Sequence, residues 1–241
     1  MNVRDESMKI GGLQKLTLLD YPGKTACTVF LQGCNFRCPY CHNGGLVLPT
    51  EDDELIQEEE FFGLLKKRIK ILDGVCVTGG EPLLQKDIIP FLRRIKALGY
   101  QIKLDTNGSL PEKLKEVCEM GLIDYVAMDI KHAPDKYPEA IGCRNISMDT
   151  IYSSVEYLMS GSVDYEFRTT LVKGIHSPED MDQIGDWIKG AKRYFLQNFK
   201  DSGNLVGGNT QNITMDSFTE SELTEFLTRT IGKVDALIRN V

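Results

Sequence analysis

The stretch TACTVFLQGCNFRCPYCHN, residues 25–43, contains the features that decide the fold. Its first eight residues, 25–32, are mostly apolar or β-branched, which predicts a buried strand. A loop follows at once, and in it Cys34, Cys38 and Cys41 form a C-x3-C-x2-C pattern. In parallel α/β folds, functional residues gather at the carboxyl ends of the strands, so this loop is the first candidate for a functional site.

After this loop, predicted strands and helices alternate along the chain. That order favours a parallel sheet with helical crossovers, either a partial (β/α)6 barrel or an open, doubly wound sheet. The strands are predicted over residues 25–32, 74–78, 101–104, 125–130, 165–172 and 193–199. The helices are predicted over residues 54–70, 86–98, 111–120, 148–160, 178–189 and 220–231.

The length of 241 residues suits a single α/β domain with a sizeable core. We expect an N-terminal extension over residues 1–24, a (β/α)6 core over residues 25–200, and a flexible loop with a C-terminal element over residues 201–241. Residues 202–217 are rich in Gly, Asn, Ser and Thr, which predicts a mobile loop. Residues 233–239 fit either a short last strand or a frayed helix.

The charge and hydropathy of the chain argue against several classes of protein. The formal net charge is −7, which disfavours non-specific binding to nucleic acid or to anionic membranes but leaves room for a local basic patch. No apolar run approaches the roughly 20 residues of a membrane-spanning helix, and residues 1–12 lack the apolar core of a secretory signal. The cysteine count of seven is odd and fits a reducing compartment. We therefore expect a cytoplasmic protein.

The three clustered thiols predict an iron–sulfur site. Soft thiolates select Fe–S clusters, zinc or Cu(I). A structural zinc site normally has four protein ligands, usually as two separated pairs, and the sequence has no second pair. His42 adjoins Cys41 and would strain a tetrahedral site, while Cys27 lies inside the predicted strand. Three thiolates leave one iron of a cubane open to a further ligand, with free thiols or zinc as the alternative.

Polar residues also follow the later strands. The second strand ends in Gly79, Gly80, Glu81 and Pro82. Glycines let the backbone approach a ligand closely, and free N–H groups in such a turn can bind a carboxylate. On these residues alone, the turn is either a common strand-to-helix connection or a ligand contact.

The third and fourth strands end in acidic residues. Asp105 and Asn107 follow the third strand, where turn chemistry alone accounts for the asparagine and Asp105 is a candidate for ligand binding. Asp129 and Lys131 lie two residues apart and so point to the same face of the fourth strand. They form either an ion pair without a chemical role or part of the ligand site.

The cysteine run, with Tyr40 before its last cysteine, resembles the cluster motif of the radical S-adenosylmethionine superfamily. This resemblance implies a [4Fe–4S] cluster on Cys34, Cys38 and Cys41, whose open iron binds the amino and carboxylate groups of S-adenosylmethionine. One electron then cleaves the S–C5′ bond and gives a 5′-deoxyadenosyl radical. The resemblance also implies a partial barrel of the radical SAM type, with Tyr40 against the adenine.

The later motifs extend this resemblance to the cofactor site. Residues 79–82 resemble the GGEP motif that binds the methionine amino group. On the same reasoning, Lys131 lies near the carboxylate of the methionine moiety. Asp129 and Asp105 would then lie near a bound monovalent cation.

A narrower resemblance is to the activating enzymes of glycyl-radical proteins. The DTNG and DxK segments resemble these activating enzymes, and residues 11–23 and 30–43 look like activators of the anaerobic, class III ribonucleotide reductase. Arg168 and His176 match positions at which such activators face the substrate peptide, although a structural role is equally open for both. The sequence supplies no ferredoxin-like domain with extra clusters, because its other downstream cysteines are scattered singly: Cys76, Cys118 and Cys143.

The resemblance therefore implies an oxidoreductase that removes a hydrogen atom from a glycine Cα of a partner enzyme. Flavodoxin or ferredoxin is the expected electron donor, and neither nucleic acid nor membrane is an expected partner. The alternatives are activation of pyruvate formate-lyase, or another radical SAM reaction on a peptide or small molecule. A non-catalytic iron–sulfur electron carrier is the alternative from a different functional class.

Overall fold

The computed structural model describes residues 8–50, 52–201, 203–207 and 214–239. The strands are β1 (Ile10–Thr17), β2 (Ala26–Leu31), β3 (Gly74–Gly79), β4 (Gln101–Thr106), β5 (Tyr125–Asp129), β6 (Asp164–Leu171), β7 (Tyr194–Asn198) and β8 (Ala236–Arg239). The helices are α1 (Gly44–Val47), α2 (Glu58–Lys67), α3 (Ile88–Ala97), α4 (Pro111–Glu119), α5 (Tyr137–Ala140), α6 (Met148–Met159), α7 (Asp180–Trp187) and α8 (Glu220–Thr230). A short 3-10 helix, Pro82–Leu84, follows β3.

The strands form one sheet and follow one another in it in sequence order, from β1 to β8. A doubly wound sheet would reverse its strand order at a switch point, so the observed order is that of an open, partial barrel. β2, β3 and β4 are parallel, as are β6, β7 and β8, with helices in the connections. The prediction of an α/β fold with a parallel sheet is confirmed.

Contacts between residues divide the chain into two compact units. The first contains the described residues of Met1–Asn35, Gly45–Thr106 and Glu112–Val126, and the second those of Phe36–Gly44, Asn107–Pro111 and Ala127–Val241. The cysteine pattern is therefore shared, since Cys34 belongs to the first unit and Cys38 and Cys41 to the second.

In the first unit, apolar side chains cover β2, β3 and β4. Five of the six residues of β2 are buried, as a parallel strand covered on both faces requires. Phe61 and Phe62 of α2 pack against Phe91 of α3, with ring centroids 5.3 Å and 5.5 Å apart. In α3 the buried residues recur at helical spacing: Ile88, Phe91, Leu92 and Ile95.

In the second unit, the C-terminal elements are joined to the sheet by charged contacts. Glu166 of β6 is fully buried and accepts hydrogen bonds from both terminal nitrogens of Arg239 in β8, at 2.7 Å and 2.9 Å. The Arg239 guanidinium also lies 3.5 Å from the ring centroid of Phe195 in β7. Helix α8 begins with a capping box between Thr219 and Glu222, which satisfies two N–H groups of its first turn.

The structure differs from the sequence-based expectations mainly at the two ends of the chain. β1 lies inside the predicted N-terminal extension and pairs antiparallel with β2. Residues 233–239, for which strand and helix were both open, contain β8. Residues 202 and 208–213 of the predicted mobile loop lie outside the described residues. Within the described ranges, no helix has the length and apolar composition needed to cross a bilayer.

Candidate active site

The turn that ends β3 packs against the backbone leading into the cysteine loop. The N–H of Gly80 donates to Leu31 O at 2.9 Å, and the N–H of Glu81 donates to Gly33 O at 2.8 Å. A Cβ added at Gly80 would lie only 2.1 Å from Gly33 O, and one at Gly79 only 2.2 Å from Leu31 O. The two glycines are therefore required by the close approach of two backbone segments.

This contact engages two N–H groups of the GGEP-like turn. Its N–H groups are predicted to be free for a ligand, but those of Gly80 and Glu81 are engaged with the backbone before Cys34. A Cβ at Gly80 would also lie 3.2 Å from the Cβ of Cys34. The glycines thus position the backbone before Cys34, which is a structural role that the sequence alone did not indicate.

The Glu81 carboxylate links the ends of β3 and β4. It is fully buried and accepts hydrogen bonds from Leu83 N–H at 3.1 Å and from the Thr106 hydroxyl at 3.0 Å. Pro82 is the first residue of the 3-10 helix that Glu81 caps, where its missing N–H is not needed. Both residues therefore fix the shape of the turn.

Asp105 at the end of β4 has a lysine partner. Lys103, only 1% exposed, donates from Nζ to Asp105 Oδ1. The two residues alternate along β4 and so share one face of the strand. Lys103 was missed in the sequence, although two charged residues spaced by two in an apolar strand could have indicated the pair.

The second half of the cysteine loop lies in the second unit. Cys38 is buried and Cys41 half-buried, and Cys41 N–H donates to Cys38 O at 3.0 Å in a tight turn. The Tyr40 hydroxyl donates to Lys131 O at 3.3 Å, and burial raises the pKa of this phenol well above its ordinary value. Tyr40 is therefore a neutral, fixed aromatic side chain next to Cys41 in the cysteine loop.

Asp129, Lys131 and Arg168 form one charged group. Asp129 accepts from Lys131 Nζ at 2.9 Å through one carboxylate oxygen and from Arg168 Nε at 2.9 Å through the other. All three side chains are partly buried, with Arg168 13% exposed. The structure thus contains the ion pair that the spacing of Asp129 and Lys131 allowed, and it brings Arg168 to the same carboxylate.

The charges of this group are fixed by their mutual contacts. Burial alone would raise the pKa of Asp129, but the adjacent Arg168 and Lys131 cations outweigh burial and hold that pKa well below its ordinary value. Burial alone would likewise lower the pKa of Lys131, yet Asp129 outweighs it and raises that pKa well above normal. All three groups therefore stay ionised near neutral pH, with a net charge of about +1.

His176 is buried and has hydrogen bonds on both ring nitrogens. Its Nδ1 accepts from Val172 N–H at 3.1 Å, so the proton resides on Nε2, which donates to Lys131 O at 3.0 Å. The ring stacks on His132 with centroids 4.6 Å apart, and burial and this neighbour lower its pKa to about 4. His176 is therefore a neutral support for Lys131 in this structure, and His132 is a partner that the sequence did not reveal.

Asn107 has a local partner in its own turn. Its buried side-chain Oδ1 accepts from Ser109 N–H at 2.9 Å, which is the turn chemistry that the Asn-Gly dipeptide indicated.

The donor set of the cysteine loop fits an iron–sulfur cluster. Cys34, Cys38 and Cys41 are not in disulfide bonds, and soft sulfur donors at this spacing suit iron in a cubane. Cys27 and Cys76, by contrast, are fully buried in strands, where burial raises the pKa of Cys27 to about 12. Among the described residues, no three His, Cys, Asp or Glu side chains are arranged as a ready metal site, so the ligand set rests on the pattern and chemistry of the loop.

Comparison with known proteins identifies relatives over most of the chain. The family model described as the Radical SAM superfamily matches residues 28–188. A Methanocaldococcus jannaschii protein named a glycyl-radical enzyme activating enzyme is 36% identical over 195 residues, which is 79% of this chain and 80% of that protein. The pyruvate formate-lyase-activating enzyme of Clostridium pasteurianum is 35% identical over 194 residues, which is 76% of this chain and 77% of that enzyme.

A solved structure has the same fold. Streptococcus suis SuiB bound to S-adenosylmethionine matches with a TM-score of 0.63 and 16% identity, over 86% of this chain and 48% of that chain. At this identity the likeness concerns the fold alone, and it confirms the predicted fold type.

Proposed function

Because this chain belongs to the Radical SAM superfamily and, within it, to the glycyl-radical enzyme activating enzymes, we propose that it generates a glycyl radical on a partner enzyme, with anaerobic ribonucleotide reductase as the first candidate. The chain is thus an enzyme, and the cofactors of its family are a [4Fe–4S] cluster and S-adenosylmethionine. The observation that carries the proposal is the extended similarity to named activating enzymes, together with the three-cysteine loop.

In this proposal Cys34, Cys38 and Cys41 hold the cluster and leave one iron without a protein ligand. The glycine turn after β3 supports this role, because it fixes the backbone before Cys34. The tight turn between Cys38 and Cys41 supports it on the other side of the loop. When bound, the cluster and S-adenosylmethionine supply a one-electron cleavage that yields the 5′-deoxyadenosyl radical.

The tasks of the remaining site residues are to bind, to orient and to exclude water. Lys131, held by Asp129, offers a fixed ammonium for the carboxylate of the methionine moiety. Tyr40 offers a flat, neutral surface for the adenine. Hydrogen-atom transfer needs no general base, which agrees with a site whose nearby His176 is buried and neutral.

The other candidate residues at the strand ends have subsidiary roles. Residues 79–82 would receive the methionine amino group through acceptor oxygens, because an ammonium donates hydrogen bonds. Asp105 and Asp129 would lie near a monovalent cation, although their Lys103, Lys131 and Arg168 partners already supply positive charge. Asn107 would shape the turn after β4.

Pyruvate formate-lyase is the second candidate partner. The similarity to the Clostridium pasteurianum enzyme favours it, whereas residues 11–23 and 30–43 favour ribonucleotide reductase. In either case the reaction takes place in the cytoplasm, with flavodoxin or ferredoxin as the electron donor.

The test is a paired anaerobic assay. Reconstituted protein is reduced with dithionite, supplied with S-adenosylmethionine and mixed with each purified partner, and electron paramagnetic resonance is used to look for a glycine-centred doublet. We expect the doublet with ribonucleotide reductase. Chromatography should show one 5′-deoxyadenosine for each glycyl radical formed.

Two variants and three outcomes complete the design. Cys38→Ala should give neither signal, while Cys76→Ala, which alters a core thiol, should give both. A doublet on pyruvate formate-lyase alone would move the assignment to that partner. Formation of 5′-deoxyadenosine without a doublet on either partner would contradict glycyl-radical activation, and a fully loaded cluster that never yields 5′-deoxyadenosine would favour an electron carrier.

A further inference from the structure

Residues 203–207, here called the clasp, run along residues 36–44, the part of the cysteine loop in the second unit. Three main-chain hydrogen bonds join these segments: Gly207 N–H to Pro39 O at 2.9 Å, Val206 N–H to Cys41 O at 3.0 Å, and Gly44 N–H to Asn204 O at 3.3 Å. The paired positions run in opposite directions along the chain, as in an antiparallel ladder. The clasp therefore holds the loop through main-chain atoms, and these bonds do not depend on the side chains of either segment.

Two glycines make this approach possible. A Cβ added at Gly207 would lie 2.8 Å from the Cβ of Pro39 and 2.9 Å from its carbonyl oxygen. A Cβ added at Gly44 would lie 2.9 Å from Asn204 O. Neither glycine is among those with a positive φ, so the requirement at both positions is steric and not conformational.

The beginning of the same loop part is fixed by a different segment. Arg37 N–H donates to Ile141 O at 2.8 Å. Gly142 follows with a φ of 63°, and a Cβ there would lie 2.4 Å from Arg37 O. The loop is thus held near both of its ends by backbone that comes much later in the sequence.

We propose that the clasp is a positioning element for the cluster, which holds Cys38 and Cys41 in their ligand-binding arrangement before iron enters and restricts access of solvent and oxidants to them. The inference rests on the proposed function, because it takes these two cysteines as cluster ligands. A loop that is already ordered loses little conformational entropy when a metal group binds, so its affinity for that group is higher.

Cys34 provides an internal reference. It belongs to the first unit, where the backbone before it is held by Leu46 and by the turn after β3: Gly33 N–H donates to Leu46 O at 2.7 Å, and Gly33 O accepts from Glu81. Loss of the clasp should therefore change the reactivity of Cys38 and Cys41 but leave that of Cys34 as it is.

The test compares Gly207→Ala with a matched control, Gly45→Ala. A Cβ at Gly45 meets nothing within 4 Å, although this residue lies just after the loop. Each cluster-free protein is pulsed with an alkylating reagent, and the rate at each cysteine is measured by peptide mass spectrometry. We expect Cys38 and Cys41 to react at least about fivefold faster in Gly207→Ala, the factor for one lost main-chain hydrogen bond, and at unchanged rates in Gly45→Ala.

A second variant, Val206→Pro, removes the donor to Cys41 without adding a Cβ to a glycine. It should reproduce the selective increase, and in the reconstituted protein both clasp variants should release iron to a chelator faster than wild type. Unchanged alkylation of Cys38 and Cys41 in both variants would overturn the clasp, as would an equal acceleration at Cys34, which would mean general loosening. Because alkylation is measured without iron, the two failures can be told apart. A protein that shows the selective increase but never binds a cluster would refute the proposed function, and the clasp would then be only a restraint on Cys38 and Cys41 and not a positioning element for a cluster.

Discussion

At the scale of single residues, acidic groups at the strand ends are matched by basic partners. Asp105 is paired with the buried Lys103, and Asp129 accepts from both Lys131 and Arg168. A partly buried carboxylate without a partner would be costly, whereas these pairs keep fixed charges at defined positions. In each pair the two charges are already fixed by their mutual contact.

Replacement of single cysteines would separate the proposed cluster ligands from the core thiols. Cys34→Ala, Cys38→Ala and Cys41→Ala should each abolish the cubane, because two thiolates are left to hold it. Cys76→Ala should retain the cluster and lower the free energy of unfolding by about 1–2 kcal/mol, since a small buried group is lost. Iron content, visible absorption and denaturant unfolding would measure both effects. A normal cluster in Cys38→Ala would refute the ligand assignment.

Burial of His176 should make the stability of the protein depend on pH. The pKa of His176 is about 4 in the folded state against an ordinary 6.5, so between these values the unfolded chain binds a proton that the folded chain does not. Stability should therefore fall as the pH drops from 6.5 towards 4, by up to about 3 kcal/mol for this residue.

His176→Gln should flatten that slope, because an amide does not titrate in this range. Part of the slope should persist, since burial also lowers the pKa of His132. Urea unfolding at several pH values, with both proteins in the same cluster state, would measure the difference. An identical slope in the variant would show that His176 does not carry the effect.

The sequence indicated which neighbouring residues share a face of a strand better than which distant residues they contact. The spacing of Asp129 and Lys131 placed them on one face, which their hydrogen bond bears out. It could not reveal that Arg168 reaches the same carboxylate, nor that His176 stacks on His132, because those contacts depend on how β5 and β6 are packed. Pairing between distant segments has no signature in local periodicity.

At the scale of elements, the end of β3 and the start of the cysteine loop are fitted to each other. Gly80→Ala would bring a methyl group to 2.1 Å from Gly33 O. Displacement of either segment should lower the free energy of unfolding by about 1–3 kcal/mol, as overpacking commonly does. It should also weaken cluster binding, since Cys34 follows directly.

Gly63→Ala is the matched control for this change. Gly63 lies in α2, and a Cβ there meets nothing within 4 Å. This replacement should raise the free energy of unfolding by up to about 1 kcal/mol through helix propensity. Thermal unfolding and iron content would be compared for the two variants, and an unaffected cluster in Gly80→Ala would argue against the positioning role of the turn.

Most elements were predicted from periodicity, and the exceptions have physical causes. β1, IGGLQKLT, contains two glycines and an exposed polar middle, so it lacks the apolar alternation of a strand. Its strand conformation depends on pairing with β2. β8 has only four residues, too few for a strand to be told from the end of a helix.

At the scale of the whole molecule, the sequential strand order makes each interior strand depend on its neighbours in the chain. The parallel order followed from the alternation of strands and helices, which local pattern can reveal. The antiparallel pairing of β1 with β2 could not be predicted in this way, because β1 lies in a segment that the sequence placed outside the core.

A protein shortened to begin at residue 25 would lack β1 and would expose the outer hydrogen-bonding groups of β2, a strand whose side chains are almost all buried. Bare, apolar strand edges recruit other chains, so we expect the shortened protein to form soluble aggregates or fibres at concentrations where the full chain stays dispersed. Light scattering would detect these aggregates, and a shortened protein that stays folded and dispersed would contradict the prediction. On this prediction, β1 both extends the sheet and keeps the edge of β2 from pairing with other chains.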